Sequence, residues 1–133
     1  AAIHRVLYRL LPAARACLHV HTVDACLAGQ GAAADATELA LPPLEMLKGL
    51  GVWEEQPRVA LPLFANWLDV ERIAADIERR LQAQPPCVPG LLIRGHGVTV
   101  WGENLTQAYN RVEVLEFLMS YLARPQAVAP HAQ

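Results

Sequence analysis

The chain has 133 residues, of which 53% are hydrophobic, with a formal net charge of −2 and a mean hydropathy of +0.20; that suffices for one domain with a substantial core. No apolar run reaches the ~18 residues of a membrane-spanning helix, and the start, Ala1-Ala2-Ile3-His4-Arg5, lacks the layout of a secretory signal. A pI near 6.2 leaves no electrostatic footprint for nucleic acid or an anionic membrane, and three widely spaced cysteines, Cys17, Cys26 and Cys87, suit a reducing cytoplasm better than a disulfide framework.

Ile3, Val6, Leu7, Leu10 and Leu11 recur at helical spacing from the first residues, with no Met and no N-cap. The chain therefore reads as the C-terminal part of a longer protein. Pro12 ends this helix, and residues 16–22 read as a buried strand. Thr22 or Asp24 then caps a short helix through Cys26 and Leu27. Residues 29–36 are small and flexible, predicting a surface loop, and residues 38–41 predict a short strand. Pro42-Pro43 opens a helical turn over residues 44–48, with Gly49 and Gly51 as stops. Residues 58–64 predict a strand. Asp69 caps an amphipathic helix whose apolar face is Val70, Ile73, Ala74, Ile77 and Leu81. Residues 91–94 and 98–101 flank Gly95-His96-Gly97, a hairpin signal. Asn104 or Thr106 starts a last helix running to about Leu122. Interleaved strands and helices indicate a layered α/β domain over residues 1–124, followed by a flexible tail over 125–133.

The chemistry is concentrated in His19, His21 and His96. Side chains two apart on a strand project from one face, so His19 and His21 can bite one ion. His-x-His alone is equally consistent with two buried, hydrogen-bonded rings. The third imidazole, held between glycines on a second strand pair, turns the balance toward ligands, the glycines allowing a sharp turn and leaving room at the metal. Three protein ligands and an open position describe a catalytic rather than a structural zinc site. Cys17 falls on the same face of a regular strand and can line the site without being a ligand. His4, beside Ile3 and Leu7, reads as a packed helix histidine, and His131 as a solvated one. Arg94 suits either a phosphate or an ion pair at the sheet edge. Glu113 and Glu116 read as surface or interface charges. Glu45, among Leu44, Met46 and Leu47, reads on propensity alone as a solvent-facing helix residue.

Several segments carry a family resemblance: Ile3-His4-Arg5-Val6-Leu7-Tyr8, Leu18-His19-Val20-His21-Thr22 and residues 93–102. On these the chain resembles the class II aldolase/adducin superfamily. Residues 45–50, 61–66 and 114–118 are more similar to its methylthioribulose-1-phosphate dehydratase branch. The resemblance implies a layered α/β/α class II aldolase-like domain with a central, mainly antiparallel sheet, its N-terminal part missing. It also implies His19, His21 and His96 as zinc ligands, Glu45 as the acid/base residue, whose pKa an apolar surround would raise, a small sugar-phosphate substrate, and a homotetramer with sites near subunit interfaces. The metal-binding glutamate of the superfamily's aldolases falls immediately before Ala1, and most phosphate-binding residues lie upstream. Trp53-Glu54-Glu55-Gln56 and Asn66-Trp67-Leu68-Asp69 depart from the dehydratase pattern, which bears on substrate fit more than on metal binding. The implied reaction is dehydration in methionine salvage. The alternatives are a class II sugar-phosphate aldolase or epimerase, or a non-catalytic zinc-bearing fragment.

Overall fold

The computed structural model describes residues 2–125, so His131 and all of the expected tail except Pro125 lie outside the described residues. Ten elements follow one another: α1 (Ala2–Leu10), β1 (Ala16–Val20), α2 (Val23–Gln30), β2 (Glu38–Ala40), a 3₁₀ helix (Glu45–Leu50), β3 (Ala60–Phe64), α3 (Val70–Ala83), β4 (Gly90–Ile93), β5 (Gly97–Gly102) and α4 (Leu105–Ala123). The strands form one sheet in the order β1-β5-β4-β3-β2. Only the β3–β4 pair is parallel; the other three are antiparallel.

Side-chain alternation on the central strands splits the core in two. Leu92, Val98 and Val100 face the layer built by α2, the 3₁₀ helix and α4. Leu91, Ile93, Trp101, Cys17 and Phe64 face the layer of α1 and α3. The result is the α/β/α sandwich expected from the sequence.

The caps follow local chemistry. The Thr22 hydroxyl accepts from Ala25 N at 3.2 Å, the Asp69 carboxylate from Glu71 N at 3.0 Å, and the Asn104 side-chain oxygen from Gln107 N at 2.8 Å, so Thr22 and Asn104 are the caps chosen. Several boundaries differ from expectation. β1 stops at Val20, leaving His21 just past its end. α2 runs through Gly29 to Gln30, because Gly29 is buried against Leu92 and Arg94 and is not free to loop. Gly49 stays inside the 3₁₀ helix, and Gly51, at φ 86°, ends it. On α3, Ile73, Ala74, Ile77 and Leu81 are buried as the spacing predicts, but Val70 in the first turn is 45% exposed.

Candidate metal centre

Strand direction assembles the site. β1, β3 and β4 all run the same way, since β5 lies antiparallel between β1 and β4. His21, Asn66 and His96 therefore emerge together beyond the carboxyl ends of three strands, where open α/β sheets hold ligands. Backbone bonds tie the ends together: Arg94 N donates to Phe64 O at 2.9 Å, and His96 N to Ile93 O at 3.1 Å, closing the turn.

The two glycines around His96 have separate jobs. Gly95 takes φ 60° to make the turn. Gly97 has φ 152°, and a Cβ built on it would sit 1.9 Å from the Val20 carbonyl oxygen. The room it leaves is thus filled by the β1 backbone, not by the metal. That close approach brings His96 to the His19–His21 pair.

The three rings pack around a common point. Each pair of centroids is 4.7 Å apart, with interplanar angles of 78°, 72° and 87°. One nitrogen from each ring lies within 4.8 Å of the other two, and His19 Nε2 is 2.8 Å from His21 Nε2. Three imidazole nitrogens converging on one point, with a further position open, are what a three-histidine cation site presents. Their outer edges are occupied as well. His19 Nδ1 lies 2.9 Å from the Thr99 hydroxyl, and His96 Nδ1 lies 3.1 Å from the Asn66 amide oxygen. Burial, then repulsion from His96 and His21, pushes the His19 pKa down to about 4. Burial followed by His21 lowers that of His96. Both rings are neutral near pH 7 and need lose no proton to accept a metal. The donor set and its geometry fit a divalent cation.

Other candidates fall elsewhere. Glu45 is on the surface, its side chain 79% exposed and paired with Lys48 at 2.7 Å. The apolar surround expected for it is absent, and the depression it lines, with Pro43, Lys48, Val52 and Glu54, contains no histidine. Arg94 pairs with no carboxylate among the described residues. Its guanidinium donates to the carbonyls of Gly29 at 3.0 Å and Ala36 at 3.5 Å, and to that of Ala33, pinning the loop after α2. Glu113 is exposed as expected. Glu116 is half-buried instead, accepting from the Thr22 hydroxyl at 2.6 Å, with its Oε2 buried and unpartnered. Burial pushes the Glu116 carboxyl pKa up, with Asp24 adding to the rise against the Thr22 bond. His4 is half-buried on α1, its ring edge-on to Tyr8. Cys17 sits in the apolar core under α1 and α3, and all three cysteines are free.

Thr99 and Asn66 carry no role in the sequence reading. Thr99 had a visible signal, a hydroxyl between Val98 and Val100 in an otherwise apolar strand. Asn66 had none, because its contact with His96 spans 30 residues and depends on the parallel β3–β4 pairing.

Comparison with known proteins adds the lineage. The family model for the class II aldolase and adducin N-terminal domain matches residues 1–122. The chain belongs to that family. It is 53% identical, over 97% of its length, to a methylthioribulose-1-phosphate dehydratase of Microcystis aeruginosa, and 41% identical, over 92%, to one of Leptospira biflexa. It spans 62% and 60% of those two relatives. Among solved structures, YgbL of Escherichia coli superposes with a TM-score of 0.72 at 24% identity, covering 96% of this chain and 58% of that one. The L-fuculose-1-phosphate aldolase of Thermus thermophilus gives 0.65 at 24% identity, covering 91% and 58%. These two likenesses establish the class II aldolase fold. Among the described residues no helix is long and apolar enough to cross a membrane.

Proposed function

We propose that the chain carries the metal centre of a methylthioribulose-1-phosphate dehydratase. The enzyme would remove water from 5-methylthioribulose 1-phosphate to give 2,3-diketo-5-methylthiopentyl 1-phosphate in methionine salvage. The observation that carries this reading is the convergent three-imidazole cluster in a chain so similar to such dehydratases.

His19, His21 and His96 would hold zinc, the ion that three imidazoles with an open position suit best. The bound metal supplies Lewis acidity toward the C2 ketone and its neighbouring hydroxyl. Elimination takes a proton from C3 and the hydroxyl from C4, and the enol so formed tautomerises to the diketone. Glu45 hands a proton to the departing C4 hydroxyl, so that water leaves and not hydroxide. Its exposed position, outside the histidine cluster of its own chain, suits delivery to the site of an adjacent copy. A homotetramer with sites at subunit interfaces provides that arrangement. Three free cysteines agree with a cytoplasmic setting.

The test is turnover of methylthioribulose 1-phosphate by the zinc-loaded full-length protein, followed by diketone formation. Dehydration that Glu45→Gln abolishes is the expected result. Zinc binding without dehydration would point instead to a sugar-phosphate aldolase or epimerase.

A further inference from the structure

We propose that Thr99 and Asn66 are positioning residues of the metal centre. Each orients one histidine ring so that Nε2 is presented to the cation, and Asn66 also fixes the tautomer of His96. The inference rests on the reading of His19, His21 and His96 as ligands.

A neutral imidazole has one N–H and one lone pair, and only the lone pair binds metal. The Asn66 amide oxygen can only accept, so His96 Nδ1, 3.1 Å away, must carry the proton and Nε2 the lone pair. Thr99 stands directly across the β1–β5 ladder from His19, with its hydroxyl 2.9 Å from Nδ1. A hydroxyl rotates to suit its partner, so Thr99 can accept from Nδ1 whenever Nε2 keeps its lone pair for the cation. His19 Nε2 is then left facing His21 Nε2, inside the cluster.

Packing alone does not explain Thr99. It is fully buried, and its neighbours Val98 and Val100 are buried too. Valine has the same shape there, whereas a buried hydroxyl lacking a partner costs about 1–3 kcal/mol. Asn66 is exposed, so core packing does not account for its orientation. It reaches His96 because the Arg94–Phe64 backbone bond locks the loop after β3 against the 95–97 turn. One partner thus comes from a neighbouring strand and the other from a neighbouring loop, which holds the rings in place before any metal arrives. Outer partners of this kind raise ligand basicity and restrict ring rotation.

The test compares Thr99→Val and Asn66→Ala with the parent protein, by zinc competition against a chromophoric chelator and by long-range ¹H–¹⁵N correlation spectra of the histidine rings. Each variant should bind zinc about ten- to a hundredfold more weakly, while Thr99→Ser and Asn66→Asp, which keep an acceptor, should retain most of the affinity. The zinc-loaded parent should show His19 and His96 protonated at Nδ1. Parent-like zinc affinity in both Thr99→Val and Asn66→Ala, or metal on Nδ1 of either ring, would overturn the inference and leave the ligand reading standing. A parent that takes up no zinc would overturn the ligand reading, and this inference with it. Asn66→Ala changes a surface residue and keeps the test decisive if Thr99→Val fails to fold.

Discussion

At the metal centre, three rings that share one point make loss of any one a loss of the facial set. His19→Ala and His96→Ala should each purify with far less than one zinc per chain and without dehydratase activity; metal analysis beside the assay checks both, and stoichiometric zinc in either variant would remove that histidine from the ligand set. Glu45→Gln should behave differently. The side chain lies outside the cluster, so zinc content should match the parent. Turnover should fall by about 10²–10⁴, the range for loss of a general acid. Full activity would dismiss Glu45 from the mechanism. His4, a half-buried helix residue beside Tyr8, should on replacement by Gln lower stability while leaving zinc content unchanged.

The β4–β5 hairpin and the α2–α4 contact convert local sequence into site geometry. Gly95 and Gly97 both have positive φ, yet only at Gly97 would a Cβ collide with a neighbour, the Val20 carbonyl; at Gly95 it would meet nothing within 4 Å. Gly95→Ala should cost only the left-handed penalty of about 1–2 kcal/mol. Gly97→Ala must also push β1 away, and should cost about 3 kcal/mol or more in urea unfolding and weaken zinc binding. Equal effects of the two substitutions would contradict the close-approach reading. Between α2 and α4, Glu116 holds Thr22 next to His21 and faces Asp24 from α2, with Glu113 on α4 and Arg124 just past its end close by. Its folded pKa lies above the ordinary carboxylate value because burial disfavours the ionised form. The fold therefore prefers the protonated carboxyl: its contribution to stability is complete below the unfolded pKa and is lost as pH rises through the raised folded pKa. Glu116→Gln should consequently gain urea resistance relative to the parent as pH climbs from about 4.5 toward 7. A gap that does not change with pH would show that the carboxyl titrates as in the unfolded chain.

Across the molecule, what the sequence disclosed was set by how local each signal is. His-x-His on a strand and Gly-His-Gly in a hairpin are short-range patterns, and the structure does bring those three residues together. The α3 face and the Thr22, Asp69 and Asn104 caps are equally local. The carbonyl partners of Arg94, on Gly29, Ala33 and Ala36, were not legible because they depend on the path of a distant loop. Glu45 is the harder case: the resemblance gives it chemistry, but its own chain leaves it on the surface beside Lys48. An adjacent copy would resolve the conflict, and α4 exposes Leu105, Tyr109, Phe117 and Tyr121 for such contact. If Glu45 acts across a subunit boundary, two inactive variants can repair each other. A His19→Ala chain still carries an intact Glu45, and a Glu45→Gln chain still carries an intact histidine set. When the two are unfolded together in equal amounts and reassembled, random mixing in a ring gives about one quarter of the sites both an intact histidine set and a neighbour's Glu45. Activity should return toward about a quarter of the parent value, from two variants that have little or none alone. Were Glu45 to serve its own chain's histidines, no mixed site could contain both groups, and the reassembled mixture would stay inactive.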